Sequence, residues 1–431
     1  MRWLIVSSRH HPSQGGIGAY VASAVRAAVD AGWDVHLLTR PSSDLPPHAK
    51  IHPVITLDDS PEFASRMSML RRMHRIRPYR YGLWALAVAR SILELNESFD
   101  LISCVDTQAE GLVALTSSRV RRHVGRTPMI IHAHGTMSIV ETLAGADPCI
   151  FGRSVYHEWE HRALLSADAV CSPSNVLQTH LPVRDHSYIL PPPVRKSHVS
   201  EWQVEPVITF VGGLEPNKGP DVLACAMNAV FQREKSARMQ FIGPDTPSAP
   251  DGGSMQKHVQ SLIEHRYRDR VSFLCRITHE QVLDHIARSL LVVVPSRFES
   301  FSYAAAEAIM IGRPVIVTTS SGIVECLPQL PSVPFGDAEA LADAIVRVFD
   351  HPQSAHADVM HQREVLMKTC SPCNFICNLT DIGDEVSSHC EISGHSCALS
   401  ESPDAIDEMQ DILTDIEHEE SLSGASPIVV R

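Results

Sequence analysis

No run of apolar residues approaches the ~18 uncharged positions that a membrane-spanning helix needs, which excludes a helical integral membrane protein. Positive charge is also in short supply: the formal net charge is -13 over 431 residues, so a general nucleic-acid surface is excluded and no nucleic-acid partner is expected. No D-x-D stands at the end of a β-branched run. The series Cys370, Cys373 and Cys377, followed by His389, Cys390, His395 and Cys397, matches no structural zinc spacing, and neither a metal nor another cofactor is expected. The eleven cysteines are odd in number. Cys104, Cys171, Cys225 and Cys275 lie in apolar segments, as buried free thiols do in a reducing compartment. The apolar run within Met1 to Arg9 is too short for a signal peptide and reads as a first strand. These absences together predict a cytoplasmic protein.

Apolar residues at 44% and charged residues at 20% suit a soluble globular chain, and the length allows two α/β domains with separate cores. The negative charge is concentrated at the end. From Ser388 to Arg431 there are ten Asp or Glu and one Arg, leaving -4 for the first 387 positions. Short β-branched runs alternate with helix-compatible stretches at Leu4–Ser7, Val35–Thr39, Leu101–Val105, Met129–Ala133 and Ala169–Ser172. The rhythm restarts at Val207–Val211, Met239–Ile242, Val271–Leu274, Leu291–Pro295 and Val315–Thr319. Strands alternating with helices predict parallel sheets covered on both faces, that is, two Rossmann-like α/β domains.

The prolines at 191, 192 and 193 exclude helix and central strand, and mark a hinge. The predicted division is an N-terminal domain over 1–190, a hinge over 191–206, a C-terminal domain over 207–370, a crossover helix over 371–387 and an acidic, mostly disordered tail over 388–431. Within that tail, Ser402 to Glu420 has helical spacing, with Pro403 at a first-turn position and Ile406, Met409, Leu413 and Ile416 on one face. Two such sheets place ligands in the cleft at the carboxyl ends of their strands.

The sharpest chemical signal is Val294 to Ala308. A strand ends near Pro295, a loop carries Glu299, and an alanine-rich helix starts near Ser302 and stops at Gly312 and Pro314. Backbone amides from about Phe301 to Ala304 at the amino end of that helix favour an anion or a hydroxyl-rich group. Glu299 and Glu307 could each take a pair of sugar hydroxyls; equally, the spacing suits two helix-start acids on a solvated face. Lys218 follows a glycine-rich turn after a strand, in Phe210 to Gly219, and is placed to neutralise a diphosphate. In the N-terminal half, Gln14 to Val21 is a glycine-rich turn opening a long helix, without the full G-x-G-x-x-G pattern. His132 and His134 share a strand face, with no third metal ligand evident nearby.

Five of these segments, in order, resemble the motifs of the family-4 retaining glycosyltransferases, glycosyltransferase group 1. Gly15 to Val21 resembles G-G-x-G-x-x-V, Ile131 to Gly135 resembles H-x-H-G, and Ser166 to Ser174 resembles A-D-x-V-x-x-x-S. Phe210 to Gly219 resembles V-G-R-L-x-x-x-K-G, and Glu299 to Glu307 is similar to E-x7-E. The resemblance runs from about residue 4 to 386 and implies the GT-B fold, two Rossmann-like domains facing a cleft.

The resemblance implies that Glu299 contacts the donor sugar, Glu307 the ribose and Lys218 the diphosphate. Ser300, Phe301, Ser302 and Tyr303 would line the donor site, the backbone at Gly16 and Gly18 would approach the phosphates on closure, and His134 would lie near sugar and acceptor. His134, Glu299 and Lys218 are thus the expected catalytic residues. The family's Arg is Gly213 here, which removes a cationic phosphate contact; Arg297 and Arg276 are candidate substitutes. The implied reaction moves a hexosyl group with retention from a UDP-, GDP- or ADP-sugar to a hydroxyl on a glycan, lipid-linked or small-molecule acceptor. The alternatives are a nucleotide-sugar epimerase, whose acid and base groups are not identifiable, and a non-catalytic nucleotide-sugar binder.

Acceptor contacts would come from Asp58 to Arg80 and Thr136 to Arg153. The basic series Arg66, Arg71, Arg72, Arg75, Arg77 and Arg80, interleaved with apolar residues as far as Trp84, suits a solvated helix face, an acceptor surface or peripheral contact with the inner face of a membrane. Gly322 to Glu325 and the Ser166 to Ser174 segment read as mainly structural.

Overall fold

The computed structural model describes residues 1–41, 46, 49–54, 76–143, 151–182, 185–199, 201–275, 277–392 and 404–422. Its first sheet is built from β1 (Arg2–Val6), β2 (Asp34–Thr39), β3 (Lys50–Pro53), β4 (Leu101–Val105), β5 (Met129–His132), β6 (Ala169–Ser172) and β7 (Ser187–Ile189). Between them run α1 (Gly16–Asp30), α2 (Ile76–Glu94), α3 (Leu112–Thr116), α4 (Ser118–Val124), α5 (Met137–Leu143), α6 (Phe151–Ser166) and α7 (Asn175–Gln178). The strand order is β3-β2-β1-β4-β5-β6-β7, all parallel.

The second sheet has β8 (Glu205–Val211), β9 (Arg238–Ile242), β10 (Val271–Leu274), β11 (Ser289–Val294), β12 (Val315–Thr318) and β13 (Ser332–Val333), in the parallel order β10-β9-β8-β11-β12-β13. Its helices are α8 (Pro220–Arg233), α9 (Met255–Leu262), α10 (His279–Arg288), α11 (Tyr303–Ile311), α12 (Ile323–Cys326), α13 (Ala338–Asp350) and α14 (Pro352–Thr369). After them come α15 (Pro372–Ile392) and α16 (Ala405–Leu422). The fold is two Rossmann-like parallel-sheet units, the GT-B architecture.

Strands buried on both faces carry continuous apolar runs, as Ser289–Val294 does with every residue buried. Each sheet therefore has a core on either side. The order reverses direction between β1 and β4 and again between β8 and β11, so the loops after these strands diverge and open a crevice at each switch point. The edge strands β3, β7 and β13 escape the sequence reading because β7 and β13 have only three and two residues and β3, Lys-Ile-His-Pro, carries no apolar run.

The chain returns to the first unit through α15, whose Phe375, Ile376, Leu379, Ile382 and Val386 pack against Tyr20, Val21 and Ala24 of α1. The stretch with helical spacing in the acidic tail is α16. It docks on the opposite face of the same sheet, burying Ile406, Met409 and Leu413 among Leu83, Trp84 and Trp159, at roughly 1.5–3 kcal/mol for each fully buried side chain. Asp404 caps this helix, accepting from Ile406 N at 3.0 Å and from Ser117 Oγ, Ser118 Oγ and Arg119 N at 2.8, 2.9 and 3.1 Å. Ser402 and Pro403 lie outside the described residues.

Two expectations need correction. Cys104 and Cys171 are buried, but Cys225 and Cys275 are exposed, because α8 turns Cys225 outward and Cys275 follows the end of β10. Trp84 is a core residue under the Arg40 guanidinium, at 4.6 Å, rather than part of a docking face. Arg66, Arg71, Arg72 and Arg75 lie outside the described residues, as does Arg276. No described helix is long and apolar enough to cross a membrane. Among the described residues no cluster of three or more His, Cys, Asp or Glu could hold a metal ion.

Candidate functional site

On the second sheet, β8 ends at Val211 and the chain turns through a single helical turn, Pro216–Lys218, that lifts Lys218 to the crevice. From the neighbouring strand β11 comes the loop with Glu299. Lys218 Nζ meets Glu299 Oε1 at 2.7 Å, and Ser296 Oγ donates to the same oxygen at 2.8 Å. Burial opposes the lysine charge, but the carboxylates of Glu299 and Glu215 outweigh it and hold its pKa above the ordinary lysine value. The Glu299 backbone is also fixed, its N–H on Ser320 O at 3.2 Å and its carbonyl receiving Gly322 N at 2.9 Å.

The helix behind this loop, α11, begins at Ser302, which has φ 93° and ψ 86° and caps Ala305 N at 3.3 Å. A non-glycine residue in this region is strained. Glu307 sits further along α11 and does not join Glu299. Its Oε1 lies 3.3 Å from His279 Nε2, and burial raises its pKa to about 7. It lines a cavity of about 460 Å³ together with Tyr303, His279, Pro193, Arg195 and Ser23. The two carboxylates thus flank the amino end of α11 in separate surroundings.

Gly213 stands where a second cation was expected, and a Cβ there would come within 3.3 Å of Glu215 Oε1. An acid therefore occupies this side of the turn. Arg297 is exposed and stacks over Phe335 at 4.2 Å.

On the first sheet, the loop after β5 carries His134, and two buried carboxylates hold it. Asp106, at the end of β4, accepts from the amides of His134 and Gly135, both at 3.0 Å. Glu160 on α6 accepts from the amides of Met137, Ser138 and Gln108 at 3.0, 3.0 and 2.9 Å. Burial, opposed by these amide bonds, raises Asp106 to about 6 and Glu160 to about 8. His134 is lowered to about 3 by burial, so its imidazole is neutral at pH 7.

The His134 ring lies 4.3 Å from that of Tyr20 on α1. His134 Nε2, Tyr20 Oη and Tyr303 Oη are buried polar atoms with no hydrogen-bond partner among the described residues. His132 points into the core instead, 3.2 Å from Ser103 Oγ. Of the two glycines at the start of α1, a Cβ on Gly16 would meet open space. One on Gly18 would strike His11 O at 2.0 Å, so close packing of the preceding loop explains Gly18 without a ligand.

The two sides meet. Phe298, next to Glu299, reaches across to Gly135 and lies 5.5 Å from the His180 ring. Ser174 Oγ donates to Ser300 O at 2.6 Å. Glu325 accepts from Asn175 N, Asn175 Nδ2 and Val176 N at 2.8, 2.9 and 2.7 Å. A Cβ on Gly322 would strike Ser300 O at 2.1 Å and Ser174 Oγ at 2.4 Å. The two segments that read as merely structural are thus the contact between units. Sequence reasoning missed Asp106, Glu160, Ser296, Tyr20 and Glu325; the available signal was an acid closing an apolar strand, as Asp106 does after Leu101–Val105, whereas Glu160 stands among Glu158, His161 and Arg162 and carries no such signal.

A family profile described as "Glycosyl transferases group 1" matches residues 205–351, the segment that carries Lys218, Glu299 and Glu307, and one described as "Glycosyl transferase 4-like domain" matches residues 15–185. The chain belongs to the group 1 glycosyl transferases. Among curated relatives, D-inositol 3-phosphate glycosyltransferase of Nocardia farcinica is 32% identical over 124 residues, 28% of this chain and 26% of that protein. Alpha-D-kanosaminyltransferase of Streptomyces kanamyceticus is 28% identical over 153 residues, 34% of this chain and 37% of that protein. The matched segments therefore span only about a quarter to just over a third of these relatives.

Likeness in fold extends further. Sucrose-phosphate synthase of Thermosynechococcus elongatus superposes with a TM-score of 0.63 at 18% identity, covering 90% of this chain and 99% of that one. Anabaena HepE, in complex with UDP and glucose, gives 0.62 at 16%, covering 88% and 98%.

Proposed function

We propose that this glycosyltransferase moves a hexosyl group, with retention, from a nucleotide-diphosphate sugar to an acceptor hydroxyl. The donor is held by the unit spanning 207–370 and the acceptor by the unit spanning 1–190. The observation that carries the reading is the Lys218–Glu299 pair at the switch point of the second sheet, with Phe298 bridging to the His134 loop.

In the resting protein the lysine and the glutamate satisfy each other. An arriving diphosphate takes Lys218, and Glu299 is released to accept from sugar hydroxyls while Ser296 keeps it oriented. The amides at the start of α11 add their dipole to the phosphate side. Glu307 accepts from the ribose. Neutral His134, held by Asp106, offers Nε2 to the sugar or the acceptor.

Transfer then breaks the bond from the anomeric carbon to the phosphate oxygen, the electron pair leaving with the nucleotide. The acceptor oxygen bonds to the same face, and its proton passes to the leaving phosphate oxygen. Orientation and charge stabilisation in a closed crevice supply the rate. Incubation with labelled UDP-, GDP- and ADP-sugars tests this: slow donor hydrolysis without acceptor is expected, and Lys218→Ala and Glu299→Gln should each abolish most of it. Hydrolysis that survives both changes overturns the assignment.

Gly213 with Glu215 beside it favours one second reading, a nucleotide-sugar binder without turnover, since the diphosphate would meet one cation and a nearby acid. Tight binding of donor with no hydrolysis is its signature.

A further inference from the structure

Two thiols outside the crevice face each other across the point where the chain passes between its units. Cys326 ends α12, the short helix whose Glu325 grips Asn175 and Val176 of the other unit. Cys370 lies between α14 and α15, and its carbonyl accepts from Val194 N, in the proline hinge, at 2.7 Å. Their sulfurs are 3.8 Å apart, with Cys326 partly exposed and Cys370 buried. We propose that Cys326 and Cys370 are an oxidation-sensitive dithiol, which a peroxide or a disulfide oxidant converts to an intramolecular disulfide that ties α12 to the crossover.

The division of labour follows from the surroundings. Cys326 is the partly exposed sulfur and the one an oxidant reaches; the Cys370 thiol donates to it and lowers its pKa, while Cys370 itself is raised, so Cys326 is the readier of the two to ionise. With hydrogen peroxide, the Cys326 sulfur attacks one oxygen. An S–O bond forms, the O–O bond breaks, and the departing hydroxide takes a proton to become water. The Cys370 sulfur then attacks the sulfenic sulfur. The S–S bond forms, the S–O bond breaks, and a second water leaves with the Cys370 proton. Two thiols are oxidised by two electrons and the peroxide is reduced to two waters.

The bond would anchor the Glu325 contact to the hinge, on which opening of the crevice turns. This consequence rests on the transferase reading; bond formation does not.

The full-length protein is treated with hydrogen peroxide, or with glutathione disulfide, and analysed by intact mass and non-reducing peptide mapping. A loss of about 2 Da, a linked 326–370 peptide and reversal by dithiothreitol are expected. Cys326→Ala should remove that link, and a Cys373→Ser/Cys377→Ser double variant should keep it. The double variant matters because Cys373 and Cys377 are exposed one turn apart on α15. A 373–377 link in place of 326–370, or no linked peptide at all, overturns the proposal. Donor hydrolysis, measured in parallel, should fall several-fold on oxidation and recover on reduction. If the link forms and turnover does not change, the proposed tie to the crevice is wrong while the dithiol stands.

Discussion

The two walls of the crevice use carboxylates in opposite ways. On the first sheet, Asp106 and Glu160 turn inward and accept five backbone amides, so their oxygens are taken up in holding the His134 loop. On the second, Glu299 faces the Lys218 ammonium at 2.7 Å and Glu307 the His279 ring at 3.3 Å, side-chain partners that the proposed donor would replace. One wall is a scaffold that presents a neutral imidazole; the other keeps exchangeable charge. Removing a carboxylate from the first wall should therefore cost stability before activity, and from the second activity before stability.

The largest effect should come from Glu160→Ala. Three partly buried amides lose their acceptor, at the lower end of ~1–3 kcal/mol each, so urea denaturation should show a loss on the order of 3–5 kcal/mol. Glu299→Gln is the opposite case. Donor turnover should fall by roughly 10²–10³, as when a preorganised transition-state contact is deleted, with a midpoint of unfolding close to that of the parent. Equal losses of stability in both variants would erase the contrast.

Gly213→Arg tests the exchangeable wall from the other direction. A restored cationic contact is worth about 1.5–3 kcal/mol, so nucleotide-diphosphate affinity by calorimetry should rise at least tenfold in Gly213→Arg combined with Glu215→Gln, which leaves the new guanidinium no carboxylate to pair with. No change in affinity would mean that the phosphates do not pass this turn.

The pH dependence of stability sharpens the comparison further. Glu160, Glu110 and Glu307 have folded pKa values of about 8, 7 and 7, all raised by burial from 4.5. They bind protons more tightly folded than unfolded, so their contribution is full at low pH and is lost as pH rises through these values. His134 and His132, lowered to about 3, act only below the unfolded histidine value near 6.5 and in the opposite sense. Between pH 6.5 and 8 the acids alone count, and stability should fall by roughly 1.4 kcal/mol per pH unit for each proton. Glu160→Gln should flatten the upper part of that fall, and an unchanged slope would contradict the burial of this carboxyl. The smallest effect is Ser302→Gly, which relieves a left-handed non-glycine residue for about 1 kcal/mol against a few tenths for the lost cap; a small rise in melting temperature is expected.

Much of the scaffold was legible in the chain. The ten main strands, the helix from Ser302 to Gly312 and the face of Ile406, Met409 and Leu413 all follow from period, caps and breakers, which act over a few residues. The short edge strands did not, because two or three residues, or four with a single aliphatic side chain as in β3, carry too little apolar pattern. Neither did the outward turn of Cys225, since an apolar segment does not say which side of its helix meets solvent.

By itself, then, the sequence determined two parallel sheets, a crevice at their carboxyl ends and the residues lifted to its C-terminal side, because each depends on local periodicity or on a motif whose parts are near neighbours. Only the tertiary structure decided that Glu160 and Asp106 clamp the His134 loop, that Glu307 stands apart from Glu299 with His279, that Glu325 holds α7 from 150 residues away, and that Cys326 faces Cys370. The physical reason is common to all four. A buried carboxylate or thiol takes whichever group the packing of distant segments brings within about 3–4 Å, and strand order and helix docking, not local spacing, set that distance.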